Sequence, residues 1–241
     1  FDMGPSWYWM PEIFDNFFHS FNCKAKDFYK LIKLDPGFKI VFDNSEMILP
    51  ANWNEICDLF DSYEDNGAKK LNKFMEDAEK KYSIGLRFLY NSPGLSVTEL
   101  LKKDVLFNAN KLQLLTSYRK HIKRHFKDPI LISLLEFPVL FLGTSAKSAP
   151  ALYSLMAYSG IKQGTFYPLG GFAKVIDSMA EVCKNNGVKF LLEEQVTKIN
   201  VFNKTAESVT TKTQELPADF VIGAADYAHI ESKLLDTKYQ N

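Results

Sequence analysis

Cysteine is scarce in this chain of 241 residues, which has only Cys23, Cys57 and Cys183. The three lie far apart, and an odd number cannot form a complete set of bridges. This excludes a small secreted fold held together by disulfides. Free cysteines are typical of a reducing compartment, so we expect a cytoplasmic protein.

An excess of either charge is also lacking, since 29 Lys and Arg balance 29 Asp and Glu. The balance disfavours nucleic acid and strongly acidic substrates as partners. Long hydrophobic runs are missing as well. The longest run, around residues 137–142, is far short of the roughly 20 residues needed to span a bilayer. Any contact with a membrane is therefore expected to be peripheral.

Local catalytic and metal motifs are absent too. The sequence contains no G-x-S-x-G, G-x-G-x-x-G or G-x-x-x-x-G-K pattern, so neither a serine nucleophile nor a phosphate loop can be assigned. His121 and His125 have a spacing that two metal ligands could use, but they sit in the basic run 119–127 without a third ligand. We predict no metal site, and the catalytic residues stay unknown.

The basic run has a second interpretation. Tyr118, Ile122 and Phe126 are interleaved with its cations, and such a segment could touch anionic lipid. A solvated helical face is the alternative. Aromatic residues leave a similar choice open. They form 14% of the chain and include twenty Phe, which could line an apolar pocket or simply fill a core.

The first half of the chain changes from strand to helix patterns. Apolar runs at 28–34, 38–42 and 47–49 are separated by turn signals at 35–37 and 43–45, which predicts an antiparallel meander. A long amphipathic helix follows, ending at 92–94, and shorter helices occupy 97–158. The apolar face of the long helix contains Leu71, Phe74, Met75, Ala78, Tyr82, Leu86 and Leu89.

The last third has a different pattern. Gly170 and Gly171 open a helix that Asn186 and Gly187 close, as a left-handed cap would. Alternating residues 188–192, then 196–201, 208–212 and the buried-looking run 220–222, predict strands of a layered α/β domain. The apolar stripe of the helix contains Phe172, Val175, Ile176, Met179, Val182 and Cys183.

The paired glycines of Tyr167-Pro168-Leu169-Gly170-Gly171 are the most informative local feature. Adjacent glycines at a helix start allow close backbone approach and expose N–H groups at the positive end of the helix dipole. Tight packing against a neighbouring strand would require the same residues. The residues alone favour neither interpretation.

Four segments together resemble the phytoene desaturase family of FAD-dependent oxidoreductases. They occur in the family's order and span almost the whole chain, although Ala224 stands where family members often have Asn. The matches are residues 1–5 to F-D-x-G-P, 149–155 to A-P-A-x-Y-S-L, 167–171 to Y-P-x-G-G with the helix and the 187–199 pattern after it, and 218–226 to A-D-x-V-V-x-N-A-D.

The resemblance implies an α+β fold in which a helical and antiparallel-sheet substrate module is inserted into a partial FAD-binding α/β domain. Residues 1–19 would be the thread from the missing part of the FAD domain, 20–165 the substrate module, and 166–241 the partial FAD-binding domain. The chain would be an internal fragment without the N-terminal dinucleotide motif and the C-terminal flavin segment. Alone it is expected to be inactive and not to retain FAD.

Residue by residue, the resemblance implies seven cofactor-binding positions. Val196 would contact adenine through its backbone, and Asp226 would end the A-D motif near the cofactor. Met3 and Gly4, together with Tyr167, Gly170 and Gly171, would lie near the isoalloxazine ring.

The implied activity is desaturation of a hydrophobic, carotenoid-like polyene by hydride transfer to FAD. An insoluble substrate of this kind implies docking at the periphery of a membrane. Two alternatives stay open: a non-catalytic relative that binds a lipid or a partner, and a related flavin amine or porphyrinogen oxidase.

Overall fold

The computed structural model describes residues 7–43, 45–91 and 112–240. Helices alternate with small antiparallel sheets, which confirms the α+β class. The chain forms two compact units, Phe1–Val182 and Cys183–Asn241. In the part of the chain just defined, no helix is long and apolar enough to cross a bilayer.

The first unit contains seven α-helices and four short strands among its described residues, α7 running on to Asn185. Helices α1–α3 are Pro11–Ser20, Trp53–Tyr63 and Gly67–Asn91, and helices α4–α7 are Tyr118–Ile122, Pro129–Glu136, Ser154–Ala157 and Gly171–Asn185. Strands β1–β4 are Leu31–Lys33, Phe38–Val41, Glu46–Leu49 and Phe166–Pro168. Short 3₁₀ helices cover Ala25–Asp27, Phe137–Leu142 and Ala151–Tyr153, and a π-helix covers Tyr158–Gln163.

The predicted meander is only half right. Strands β2 and β3 form an antiparallel hairpin, with Phe38 opposite Leu49. Strand β1 instead pairs with β4, more than a hundred residues further along, with Leu31 opposite Pro168. Turn signals report only local pairing, so a partner this distant cannot be inferred from them.

The long helix predicted from the apolar pattern is confirmed as α3. Leu71, Phe74 and Met75 are buried in the larger core of the unit. Helix α2 packs against α3, and Asn52 caps α2 by accepting hydrogen bonds from the backbone N–H groups of Asn54 and Glu55. The predicted end of the helix at 92–94 lies outside the described residues.

A second, smaller core joins α1, the segment around Tyr29 and helix α7. Its buried members include Tyr8, Phe18, Phe172 and Val175. Most of the predicted stripe of α7 is buried or half-buried, but Ile176 is exposed. Gly187, at φ +85°, supplies the expected left-handed residue after the helix.

The second unit is built on a three-stranded antiparallel sheet. Its strands are β5 (Val196–Phe202), β6 (Thr205–Thr211) and β7 (Glu215–Pro217), in the order β5-β6-β7. This confirms the strands predicted at 196–201 and 208–212. A short helix α8 (Tyr227–His229), a π-helix (Ile230–Leu234) and a 3₁₀ helix (Thr237–Tyr239) follow.

Two strands predicted for this unit are wrong. Residues 188–192 and 220–222 form no strand, and Phe220 and Ile222 are 90% and 91% exposed. The alternating pattern of 188–192 and the apolar run 220–222 indicate only which side chains a strand would bury if one formed. A strand also needs a neighbouring backbone to bond to, and no described residue pairs with either segment.

Two neighbours on α7 test this description of the smaller core. Val175 is 1% exposed and Ile176 is 60% exposed. We expect Val175→Ala to lower the free energy of unfolding by about 2 kcal/mol, because it leaves a cavity. The matched change Ile176→Ala should stay within about 0.5 kcal/mol. Urea unfolding of both variants makes the comparison, and equal losses would contradict the assignment of faces.

Candidate functional site

The turn between β4 and α7 is held on both sides. On one side β4 pairs with β1, and the N–H of Leu169 donates to the carbonyl of Lys30 at 2.8 Å. On the other side the N–H of Phe166 donates to the carbonyl of Tyr8 at 3.1 Å. The three residues of β4 are therefore fixed between two stretches of chain, and the turn after them has a defined position.

Tyr167, Gly170 and Gly171 lie at this turn. Gly170 has φ +92° and Gly171 has φ +77°, a region that residues with a side chain rarely adopt. A Cβ at Gly170 would lie 3.4 Å from the Cβ of Lys174. Tyr167, Leu169 and Gly170 are exposed, whereas Gly171 is buried. At the start of a fifteen-residue helix, the turn thus exposes the backbone of Gly170, which no side chain covers, and the ring of Tyr167.

A cavity of about 520 Å³ lies next to the turn and was not predicted from the sequence. The Lys30 whose carbonyl anchors Leu169 belongs to its wall. Tyr8 and Tyr29 also line it and share a hydrogen bond between their hydroxyl groups at 2.6 Å. Burial, then the bond to Tyr29, raises the pKa of Tyr8, so this hydroxyl stays neutral. The remaining wall residues are Pro11, Asp15, Ala25, Lys26 and Leu31.

The other predicted positions lie elsewhere. Val196 and Asp226 belong to the second unit. Val196 begins β5, opposite Thr211, and Asp226 caps α8 by accepting a hydrogen bond from the N–H of His229 at 2.8 Å. Met3 and Gly4 are outside the described residues.

Comparison with known proteins identifies the family. A model of the flavin containing amine oxidoreductase family matches residues 1–240. The chain belongs to this family. Because the family is defined by its flavin, the match confirms the expected class of cofactor and of enzyme.

Similar proteins confirm the resemblance to phytoene desaturases. The chain is 31% identical over 238 residues to the carotenoid 3,4-desaturase of Haloarcula japonica and 26% identical over 241 residues to the phytoene desaturase of Fusarium fujikuroi. It is 23% identical over 238 residues to a 4,4'-diapophytoene desaturase of Staphylococcus aureus. Each match covers 98% of this chain, but only 48%, 42% and 47% of the respective relative. The chain therefore spans less than half the length of these relatives.

The β4–α7 turn fits one part of a flavin nucleotide. Gly170 is exposed and carries no side chain, so a planar ring or a phosphate could approach its backbone. The N-terminus of α7 favours a negative group, and the exposed Tyr167 offers a ring for stacking. These features belong to a single turn, so it can form only one wall of a cofactor site.

A buried group of charges in the helical part was missed by sequence reasoning. The Lys81 side chain is fully buried, and its Nζ lies 2.6 Å from Oδ2 of Asp77 and 3.3 Å from Oγ of Ser154. Oδ2 of Asp77 also lies 3.2 Å from Nε2 of His121. One signal was available, since Lys81 stands three residues after Ala78 and seven after Phe74, on the apolar face of α3.

Asp77 and Lys81 each affect the pKa of the other. Burial lowers the pKa of Lys81, and Asp77 partly offsets this. Burial alone would raise the pKa of Asp77, but hydrogen bonds from His121 and Lys81 outweigh it and lower the value from 3.8 to about 2. Asp77 is thus ionised at neutral pH, and its carboxylate partly offsets the cost of burying the Lys81 ammonium.

The structure also changes the interpretation of the basic run 119–127. Tyr118, Ile122 and Phe126 are buried in the larger core, so these side chains cannot enter lipid. His121 lies against Asp77 rather than pairing with His125 in a metal site. Within residues 7–43, 45–91 and 112–240, no group of three His, Cys, Asp or Glu side chains could hold an ion.

Replacing Asp77 tests the buried ion pair. We expect Asp77→Asn to lower the free energy of unfolding by about 3 kcal/mol at pH 7, because it leaves the Lys81 charge buried without a partner. The control Glu76→Gln removes an exposed carboxylate of the same helix and should change it by less than about 0.5 kcal/mol.

The same variant predicts a pH dependence. The folded pKa of Asp77 lies below its ordinary value, so its contribution is complete above about pH 4. The contribution is lost as the pH falls toward about 2, where the folded carboxylate is protonated. The difference between wild type and Asp77→Asn in urea unfolding should shrink across this range. A constant difference from pH 7 to pH 2 would exclude the ion pair as its source.

Proposed function

We propose that the whole protein is an FAD-dependent desaturase of a carotenoid-like polyene. The observation that carries this is the alignment of relatives named carotenoid and phytoene desaturases along 98% of the chain, including the β4–α7 turn. These names belong to the relatives, and we extend their chemistry to this protein because the turn retains the glycines that a bound flavin would need.

The chain divides by role in this proposal. Residues 1–19 and 166–241 contribute to the flavin domain, and residues 20–165 form an inserted module for the polyene. The match of relatives named desaturases along 98% of the chain, residues 20–165 included, supports the second assignment.

The cofactor-binding residues are assigned as follows. Gly170 and Gly171 allow backbone approach at the start of α7, and Tyr167 covers the ring beside Met3 and Gly4. Val196 supplies backbone contacts to adenine, and Asp226 closes the A-D segment near the cofactor. Bound FAD supplies the acceptor for a hydride from the polyene. The residues of the chain bind, orient and exclude water, and we assign no general base.

Contact with a membrane surface is part of the proposal. A long polyene is almost insoluble, so an enzyme that uses it must collect it from a bilayer or from a carrier. We place this protein in the cytoplasm, with peripheral contact at a membrane.

Flavin content of the whole protein tests the proposal. We expect the full-length product to purify yellow, with a visible flavin spectrum that bleaches when a polyene is supplied without another electron acceptor. The 241-residue chain expressed alone should purify colourless, because one wall of a site gives little affinity.

The alternatives give different results in the same assay. A folded full-length protein that cannot be loaded with FAD would contradict the proposal and indicate a relative that only binds a lipid or partner. Bleaching by amines or porphyrinogens, with none by carotenoids, would instead indicate an oxidase of the same family.

Two glycines of positive φ test the turn itself. In the full-length protein, Gly170→Ala should weaken FAD binding about tenfold, or about 1.4 kcal/mol, because a methyl group occupies the approach to the backbone. The control Gly143→Ala also changes a glycine of positive φ, at +64°, but nothing lies within 4 Å of its Cβ position. Titration of the apo-proteins with FAD should separate them, and equal effects would show that strain alone was measured.

A further inference from the structure

An exposed apolar segment follows helix α5. Leu140, Phe141 and Leu142 are 64%, 55% and 41% exposed, and we call these three residues the apolar tip. The residues before them, Pro138 and Val139, are buried and anchor the segment. Three consecutive large apolar side chains in water are unfavourable and mark a contact surface.

Two tryptophan rings pack against Phe141 of the tip. The ring of Phe141 lies 4.5 Å from that of Trp7 and 6.0 Å from that of Trp9, measured between centroids. Trp7 also packs 5.4 Å from Phe137. The tip is therefore held in place by an aromatic base, and indole rings at such a base suit the boundary between water and lipid.

The start of the basic run lies beside the segment that follows the tip. Gly143, at φ +64°, turns the chain back, and the N–H of Arg119 then donates to the carbonyl of Ala146 at 2.8 Å. This bond brings the basic run 119–127 beside the segment that carries the exposed Lys147. Arg119 also pairs with Glu136, which directly precedes the 3₁₀ helix of the tip.

The local charge is strongly positive although the whole chain is neutral. Residues 117–150 contain six Lys or Arg and two Asp or Glu. Glu136 is paired with Arg119, and Asp128 caps α5. The remaining cations of this segment are exposed to solvent: Lys120, Lys123, Arg124, Lys127 and Lys147.

We propose that the apolar tip and this basic run form a docking surface for an anionic lipid bilayer. The tip enters the boundary between headgroups and acyl chains, and the lysines bind the headgroups. Charge complementarity selects this occupant, because a second copy of the chain would bring the same cations against each other. Through this surface the protein would make the membrane contact of the proposed function. The proposal rests on that function only for the reason why the protein meets a bilayer.

Vesicle flotation of the 241-residue chain tests the surface, because it requires neither FAD nor activity. We expect binding to vesicles with about 30% anionic lipid, little binding to zwitterionic vesicles, and loss of binding in about 1 M salt. Binding that ignores lipid charge, or no binding at all, would overturn the proposal. A stable dimer that forms through the tip would also overturn it.

Matched variants locate the contact. Leu140→Ser with Leu142→Ser should weaken vesicle binding about tenfold or more, whereas Ile176→Ser removes an equally exposed side chain on α7 and should not. Lys120→Glu with Lys147→Glu should also weaken binding, in contrast to Lys69→Glu with Lys80→Glu on α3. Equal effects of a test pair and its control would overturn the assignment.

Tryptophan fluorescence adds a readout that a folding defect would not reproduce. The chain has only Trp7, Trp9 and Trp53, and Trp53 lies under the ammonium of Lys162. In a Trp53→Phe variant, brominated lipid should quench the remaining emission on anionic vesicles. Emission that brominated lipid leaves unchanged while the protein floats would place the contact elsewhere and exclude the tip.

Discussion

Strand β4, only three residues long, is the constraint on which the candidate site depends. It pairs with β1 on one side and with the backbone of Tyr8 on the other. Because both neighbours are distant in sequence, the turn at Gly170 is fixed only when the N-terminal segment, the region around Lys30 and helix α7 have all assembled. The hydroxyl bond between Tyr8 and Tyr29, and the packing of Phe172 on Tyr8, belong to the same assembly.

The helical part combines an apolar core with a few buried polar ties. Lys81 and Asp77 connect α3 to α4 and α6 through His121 and Ser154. Directly after Lys81 on α3, Tyr82 donates to Glu12 of α1, which also accepts from Gln163. Such ties add little net stability over apolar contacts, but they are costly to break and so restrict how the helices can pack.

The two units differ in how completely their apolar residues are covered. The first has two buried clusters. In the second, Ile199 is buried within the sheet, whereas Phe220 and Ile222 face solvent. The side-chain pattern predicted strands at 188–192 and 220–222, and this prediction is wrong. Strand formation depends on a partner backbone, and side-chain pattern carries no information about whether one is present.

Local chemistry by itself determined the long helix α3, the helix after Gly171 with its glycine cap, the strands β5 and β6, and the kinship with desaturases. Each of these depends on residues close together in the chain or on short motifs. The tertiary structure decided the pairing of β1 with β4, the exposure of Ile176 and the burial of Lys81. It also decided that Tyr118, Ile122 and Phe126, the apolar residues interleaved with the basic run, are buried in the core. Those outcomes depend on which distant segments meet, and contact energies between distant segments leave no periodic trace in the sequence.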